Sequence, residues 1–211
     1  MGNDMQIDPS AIVWSAPERE RAGRPLLVLL HGYGSHEGDL FSLSPGLPLG
    51  PVIASLRAPL LAGPGNAWFP LTADSFAADH GPNADAAAQA ILDWLDTTQS
   101  TSVGLLGFSQ GGATALQLLR LAPQRFDYAV MLSGFVVGST HTGDAALAAT
   151  KPPVFWGRGT LDQIIPPIAV QLTEQWLPAH STLTTRIYED VAHGISNAEL
   201  RDVAAFISSQ L

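Results

Sequence analysis

The sequence GFSQG at residues 107–111 places a serine, Ser109, two positions from a glycine on each side. It matches the G-x-S-x-G pattern found around nucleophilic serines. The pattern fixes only three positions and the chain contains 20 glycines, so the string decides little by itself. Its position is more informative, because an apolar stretch ends at residue 106 and a helical stretch begins at Gln110. A sharp turn from a strand into a helix holds a serine in a strained, exposed position.

Other readings of this glycine-rich turn are weaker. A dinucleotide- or phosphate-binding loop would need a G-x-G-x-x-G or Walker sequence, and neither occurs anywhere in the chain. An ordinary strand-to-helix turn with an unreactive serine remains the plain alternative. The glycines at both ends of the pattern favour the nucleophile, because side chains there would collide with the neighbouring strand and helix.

A serine hydroxyl becomes a good nucleophile only beside an imidazole, and the imidazole needs a carboxylate to fix its tautomer. In α/β-hydrolases the histidine comes last in the chain, and three histidines follow Ser109. His193 lies between the last predicted strand and the last predicted helix, which puts it at the carboxyl edge of a parallel sheet. His141 remains a second candidate, whereas His180 belongs to a connection at the opposite edge.

Asp162 is the predicted acid. It follows the predicted strand at residues 154–156 and therefore lies at the same carboxyl edge as His193. Asp144 lies at that edge too and is the alternative acid, whereas Asp127 precedes its strand and points to the other end. Asp162 has a plain alternative role as the cap of a turn ahead of Pro166.

Acyl transfer also needs two hydrogen-bond donors aimed at the oxyanion. The backbone N–H of Gln110 is one candidate, because Gln110 follows the serine and opens a helix. The backbone N–H of Tyr33 is the other, since the sequence HGYG at residues 31–34 follows an apolar strand. His31 is interpreted as a structural hydrogen-bonding residue. The scattered histidines do not form a metal-binding motif.

The elements around these residues alternate between strands and helices. Apolar or β-branched runs predict strands at residues 11–14, 26–30, 52–56, 102–106, 128–132, 154–156 and 184–188. Apolar periodicity predicts helices at residues 84–98 after an Asn83 cap, 110–121, 168–177 before Pro178, and 198–210. Strands that are apolar throughout and separated by helices predict an α/β domain with a mostly parallel central sheet flanked by helices.

Two connections stand out. Residues 18–24 are predicted to form a solvated hairpin turn between the first two strands. Residues 57–82 are rich in Pro and Gly and are longer than an ordinary connection, yet they contain Trp68, Phe69 and Phe76. Adjacent aromatic side chains in a long loop favour a wall of a shallow substrate cleft. The alternative is that they only anchor the loop to the core.

The composition fits one globular domain over residues 1–211, of which 46% are hydrophobic. A net charge of −9 leaves no basic surface for phosphate groups, so nucleic acid is not an expected partner. No apolar run approaches the roughly 20 residues that span a bilayer. We therefore expect no stable membrane insertion and a cytoplasmic protein. The chain has no cysteine, which excludes thiolate metal sites and a cysteine nucleophile.

Taken together, these motifs resemble the phospholipase/carboxylesterase family of α/β-hydrolases, which includes acyl-protein thioesterases. The resemblance covers nearly the whole chain and is carried by five strings: LHGYG at 30–34, GFSQGG at 107–112, LSGF at 132–135, residues 157–166, and AHGIS at 192–196. It implies an α/β-hydrolase fold without a large cap domain. It also implies a triad of Ser109, Asp162 and His193, with Tyr33 and Gln110 as oxyanion donors.

The resemblance further implies a small-molecule ester as substrate and no cofactor or metal. The expected substrate-binding residues are Trp68, Phe69 and Ile164, and the expected activity is hydrolysis of short-to-medium acyl esters. A thioesterase or lysophospholipase would use the same triad, and a non-catalytic ligand-binding protein is a remote alternative. The loop after His31 has Ser35 where the family commonly has an aspartate, which leaves the preferred ester open. A homodimer is left open as well.

Overall fold

The computed structural model describes residues 5–71, 81–138 and 140–211 of the chain. The strands are β1 (Val13–Trp14), β2 (Leu26–Leu30), β3 (Val52–Leu56), β4 (Leu60–Ala62), β5 (Gly65–Ala67), β6 (Val103–Phe108), β7 (Tyr128–Leu132), β8 (Pro153–Gly159) and β9 (Thr182–Tyr188). The α-helices are α1 (Glu37–Phe41), α2 (Gly81–Leu95), α3 (Gln110–Leu121), α4 (Asp144–Thr150), α5 (Pro167–His180) and α6 (Asn197–Ser208). The predicted α/β class is confirmed.

The main sheet has the strand order β1-β3-β2-β6-β7-β8-β9. All its pairings are parallel except that of β1 with β3. The parallel strands therefore end at one edge, and the loops that follow them meet there. β6, which leads into Ser109, occupies the centre of the sheet. Ligand sites in open parallel sheets are expected at this carboxyl edge.

Apolar side chains cover both faces of the sheet, as the unbroken apolar strands predict. In β2, alternate residues point to opposite faces: Val28 belongs to one buried cluster and Leu29 to the other. The first cluster is completed by residues of α2, α3, α4 and α5, and the second by residues of α1 and α6. Among the described elements, four helices therefore pack on one face of the sheet and two on the other.

The first predicted strand begins too early, and the hairpin turn predicted after it is wrong. Pro9–Ala11 forms a 3₁₀ turn capped by Asp8, and only Val13–Trp14 is extended. β1 pairs with β3 rather than with β2, so residues 18–24 do not close a hairpin. The physical reason is that β3 and β6 occupy both edges of β2, which leaves the outer edge of β3 as the place where β1 can pair.

Other elements also differ from the sequence prediction. Residues 60–67 form the β4–β5 hairpin inside the segment predicted as a loop, and the part of that segment with Phe76 lies outside the described residues. Asn83 lies within α2 rather than before it. α5 continues through Pro178 to His180. Pro178 is in the last turn, where its missing N–H removes only the helical bond to the carbonyl of Glu174. The Ser181 hydroxyl donates a 2.7 Å hydrogen bond to the carbonyl of Leu177 and so closes the end of the helix.

Candidate active site

Ser109 occupies a strained turn between β6 and α3. Its backbone angles are φ 54° and ψ −117°, a conformation that residues with a side chain rarely adopt. The turn is tight on both sides: a Cβ on Gly107 would lie 2.2 Å from the carbonyl oxygen of Gly111, and one on Gly111 would lie 1.9 Å from that of Leu30. Both outer positions of the G-x-S-x-G pattern therefore have to be glycine, as the sequence analysis expects.

The His193 imidazole lies between a hydroxyl and a carboxylate. Its Nε2 is 3.0 Å from the Ser109 Oγ, and its Nδ1 is 2.8 Å from the Asp162 Oδ2. With the proton on Nδ1, the ring donates to Asp162 and accepts a hydrogen bond from the Ser109 hydroxyl. The Phe108 ring packs against the imidazole with 4.8 Å between ring centroids. The three predicted residues thus form one hydrogen-bonded chain.

Asp162 is held by the backbone of its own loop. Its Oδ1 accepts hydrogen bonds from the N–H of Ile164 (2.9 Å) and of Ile165 (3.2 Å), while Oδ2 faces His193. Burial of the carboxyl raises its pKa, but the hydrogen bonds from His193 and the two backbone amides outweigh burial, and the pKa lies below its ordinary value. The turn around Asp162 and its contact with the imidazole are therefore two parts of one arrangement, which keeps the carboxylate ionised.

The alternative acids have other partners. Asp144 is at the start of α4, where its Oδ1 accepts a 2.8 Å hydrogen bond from Nε of the buried Arg120. Asp127 lies at the amino end of β7, where its Oδ2 accepts the backbone N–H of Val103. Both carboxylates are therefore hydrogen-bonded to groups other than His193.

The alternative histidines are likewise engaged away from Ser109. His141 lies 3.3 Å from Asp85 through its Nε2, and its Nδ1 accepts the backbone N–H of Gly143. His180 lies at the end of α5, where its ring stacks on Trp176. Of the three histidines that follow Ser109 in the sequence, only His193 has a described hydrogen bond with it.

The predicted oxyanion donors come from loops that pack against each other. A Cβ on Gly32 would lie 3.5 Å from the Ser109 Cβ, so the loop with Tyr33 passes directly beside the serine. Gly34 has a positive φ of 73°, which turns the chain away after Tyr33. Gln110 is fully buried at the first position of α3. The backbone of Gly32, which precedes Tyr33, and the backbone of Gln110 therefore both lie next to Ser109.

His31 has a structural environment, as the sequence analysis expects. Its ring is fully buried, with Nδ1 2.7 Å from the carbonyl oxygen of Gly32 and Nε2 accepting the backbone N–H of Ala58 at 3.1 Å. Burial lowers the pKa of the imidazole, which keeps the ring neutral. In this tautomer His31 donates through Nδ1 and fixes the peptide that joins Gly32 to Tyr33.

Trp68 and Phe69 lie in the core and not on the wall of an open cleft. Both side chains have no exposed surface. The Gln110 side chain holds their backbone: its Oε1 accepts the N–H of Trp68 at 2.9 Å, and its Nε2 donates to the carbonyl of Phe69 at 2.6 Å. Burial favours the alternative that these aromatic residues anchor the loop. From the sequence, Gln110 is predicted to act only through its backbone, and its residue type does not indicate this side-chain contact.

Ile164, the third residue expected to contact substrate, is placed differently. Its side chain is 60% exposed, while its backbone N–H holds Asp162. Leu161, on the other side of Asp162, is 53% exposed. Two large apolar side chains therefore flank the acid at the surface, next to the hydrogen-bonded chain.

One groove lies away from Ser109, His193 and Asp162. This groove of about 330 Å³, lined by Trp14, Trp94 and Arg21, also contacts Leu26 and Val52, the first residues of β2 and β3. It is at the amino edge of the sheet, opposite to Ser109. Among the described residues, no group of three or more His, Asp or Glu is placed to hold a metal ion. None of the helices within the described ranges is long and apolar enough to span a bilayer.

Comparison with known proteins gives the family. The phospholipase/carboxylesterase family profile matches residues 13–211. Carboxylesterase SOBER1 of Arabidopsis thaliana is 32% identical over 126 residues, covering 58% of this chain and 55% of the relative. Acyl-protein thioesterase 1 of Candida albicans is 34% identical over 109 residues, covering 49% and 47%. These matches span about half the length of the curated relatives.

Solved structures agree over a greater length. Esterase PE8 superposes with a TM-score of 0.78 at 26% identity, covering 98% of this chain and all of that protein. Zea mays acyl-protein thioesterase 2 has the same fold, with a TM-score of 0.78 at 23% identity and coverage of 94% and 98%. The chain belongs to the phospholipase/carboxylesterase family and has the α/β-hydrolase fold. Both expectations from the sequence are confirmed.

Proposed function

We propose that this protein is a serine carboxylesterase that hydrolyses short-to-medium acyl esters through a covalent acyl-enzyme. The observation that carries the proposal is the hydrogen-bonded chain from the Ser109 Oγ through both nitrogens of His193 to Asp162, with distances of 3.0 and 2.8 Å. Family membership supports it, since the relatives named above include a carboxylesterase. The strained backbone of Ser109 gives further support, because such strain is typical of a nucleophile turn.

In the first half of the reaction, the Ser109 Oγ attacks the ester carbonyl carbon while Nε2 of His193 accepts the hydroxyl proton. The backbone N–H groups of Tyr33 and Gln110 donate to the oxygen that becomes negative. Asp162 stays ionised and stabilises the imidazolium. The tetrahedral intermediate then collapses: the bond to the alcohol oxygen breaks, and the alcohol leaves with the proton from Nε2.

In the second half, a water molecule attacks the acyl carbon and gives a proton to Nε2 of His193. The bond between the acyl carbon and the Ser109 Oγ breaks, Oγ takes the proton back, and the carboxylic acid leaves. The balance is one ester and one water consumed for one acid and one alcohol formed. No cofactor takes part in these steps.

The test is hydrolysis of p-nitrophenyl butyrate by the wild type, Ser109→Ala and Ser133→Ala. Ser133 is a matched control, because it follows the neighbouring strand β7, is buried and also has a positive φ, of 46°. We expect Ser109→Ala to lower kcat by about 10⁴ or more and Ser133→Ala to retain most activity. A fluorophosphonate should label the wild type once and leave Ser109→Ala unlabelled. A wild type that neither hydrolyses the ester nor reacts with the fluorophosphonate would contradict the proposal.

A thioesterase is the second candidate, favoured by the relatives named acyl-protein thioesterase. The chemistry above applies unchanged when the leaving group is a thiol. An oxygen ester and a thioester that share one acyl group separate the two candidates. A kcat/KM for the oxygen ester at or above that for the thioester supports the esterase, and a large preference for the thioester supports the second candidate.

A further inference from the structure

Trp68 contacts both of the segments that flank Ser109. Its backbone N–H donates to the side-chain Oε1 of Gln110 at 2.9 Å, and its indole Nε1–H donates to the carbonyl oxygen of His31 at 2.8 Å. All three residues are fully buried. One residue of the segment after β5 is therefore hydrogen-bonded to the end of β2 and to the start of α3.

Each of these two attachment points adjoins one of the predicted oxyanion donors. His31 immediately precedes Gly32 and Tyr33, and its Nδ1 holds the carbonyl oxygen of Gly32. In a trans peptide the C=O and N–H point in opposite directions, so a fixed Gly32 carbonyl fixes the direction of the Tyr33 N–H. The indole of Trp68 restrains the preceding peptide through the His31 carbonyl. Its backbone restrains Gln110, whose own N–H is the second donor.

We propose that Trp68 is a positioning residue of the oxyanion hole, which sets the spacing between the Tyr33 and Gln110 amides. This inference rests on the proposed function. The two donors come from strands that pair side by side, β2 and β6, but each donor lies beyond the last pair of the ladder, Leu30 with Gly107. The Trp68 hydrogen bonds are a connection between these segments beyond the point where strand pairing ends.

The competing role is that Trp68 only fills the core. Trp156 is the matched control, since it is 2% exposed in β8 and its indole nitrogen has no hydrogen-bond partner among the described residues. Trp68→Phe and Trp156→Phe both remove an indole ring from the interior. Only the first removes a hydrogen bond to the end of β2.

The experiment measures kcat and KM for p-nitrophenyl butyrate and the inhibition constant of a trifluoromethyl ketone, which forms a tetrahedral oxyanion on the serine. Loss of a whole oxyanion donor typically costs about 10²–10³ in kcat, and a displaced donor should cost less. We expect Trp68→Phe to lower kcat about tenfold to hundredfold and to leave KM within about twofold. It should raise the inhibition constant of the ketone by a factor similar to the loss of kcat. Trp156→Phe should leave both quantities within about twofold of the wild type.

Three outcomes would overturn the proposal. One is a Trp68→Phe enzyme with the kcat and ketone affinity of Trp156→Phe, and another is a lower kcat with unchanged ketone affinity. The third is a raised KM with unchanged kcat, which is the behaviour of a substrate-contacting wall. If Trp68→Phe does not fold, site-specific replacement of this indole by benzothiophene keeps its shape, removes the N–H and gives the same readouts. Failure of the proposed function is distinguished by a wild type that does not react with the fluorophosphonate.

Discussion

The carboxyl group of Glu199 lies directly against the backbone of Gly157, so closely that a Cβ at Gly157 would be 2.3 Å from Glu199 Oε1. Glu199 is in the first turn of α6 and is 1% exposed. Burial raises the pKa of this carboxyl to about 7; the backbone of Ser196 opposes the rise and the charge of Asp202 adds to it. A titrating group is thus buried beneath β8, the strand that leads to Asp162.

We expect Glu199→Gln to stabilise the protein above neutral pH. The folded-state pKa of about 7 exceeds the ordinary value of 4.5, so the folded state holds a proton that the unfolded state releases. Wild-type stability should therefore fall as pH rises from about 5 to 7, by about 3 kcal/mol at most. Glu199→Gln should remove this fall and show a higher free energy of unfolding at pH 8 than the wild type.

Urea unfolding at pH 5 and pH 8 measures this effect. Glu189→Gln is the control, because Glu189 is exposed and its substitution changes the net charge by the same amount. Wild-type stability that is equal at the two pH values, or that rises with pH in parallel with Glu199→Gln, would contradict the raised pKa of Glu199.

The two candidate acids should separate into a catalytic and a structural effect. Asp162→Asn is expected to lower kcat by about 10²–10⁴ with a small change in Tm, because it disturbs the tautomer of His193. Asp144→Asn is expected to lower stability by about 3 kcal/mol, since Arg120 would be left buried with its charge uncompensated. Its kcat per folded molecule should stay near the wild-type value. The reverse pattern would show that Asp144 is the acid.

The strain at Ser109 should be visible in the stability of variants. Glycine adopts positive φ without a steric cost, whereas alanine at φ 54° keeps the strain. We expect Ser109→Gly to be about 1 kcal/mol more stable than Ser109→Ala, although both are inactive. The comparison is made by thermal unfolding of the two inactive variants in the absence of substrate. Equal stability of the two would argue that the turn is unstrained.

Acyl length should respond to Ile164. Its exposed side chain beside Asp162 can cover a few methylenes, each worth about 0.8 kcal/mol when fully buried. We expect the wild type to prefer short acyl chains in a C2 to C12 series of p-nitrophenyl esters. Ile164→Ala should lower kcat/KM more for C6 than for C2, whereas Ile187→Ala, at an exposed position of β9, should change neither. An optimum at C10 or longer would contradict the short-chain preference.

The sequence predicts the α/β class and the three hydrogen-bonded residues of the candidate site, but it does not predict every strand pairing. Ser109, Asp162 and His193 are predictable because each follows a predicted strand, and the carboxyl ends of parallel strands share one edge. The pairing of β1 was not predictable in this way, because it depends on which edges of β2 are already occupied. The sequence around β1 does not show which strand edges are already paired.

Trp68 shows a second limit. Two adjacent aromatic residues in a long segment fit either a cleft wall or an anchor, since both roles favour large apolar side chains. Burial decides between them, and burial depends on Gln110, 42 residues away in sequence, which receives the Trp68 backbone N–H. Ile164 illustrates the same point, because its backbone contact with Asp162 leaves no trace in its residue type.

The edge position of β9 should make the three proposed catalytic residues differ in their resistance to heat. The strand is outermost in the sheet and lies largely at the surface, yet the loop after it carries His193, whereas Ser109 follows the central strand β6. Peripheral strands open locally at a lower free energy than the centre of a sheet. On heating, His193 should therefore lose its hydrogen bond to Ser109 before the sheet unfolds. Activity should then be lost at a lower temperature than far-UV ellipticity. The time for which the proposed esterase stays active on heating should then depend on the outermost strand, β9, and not on the central strands.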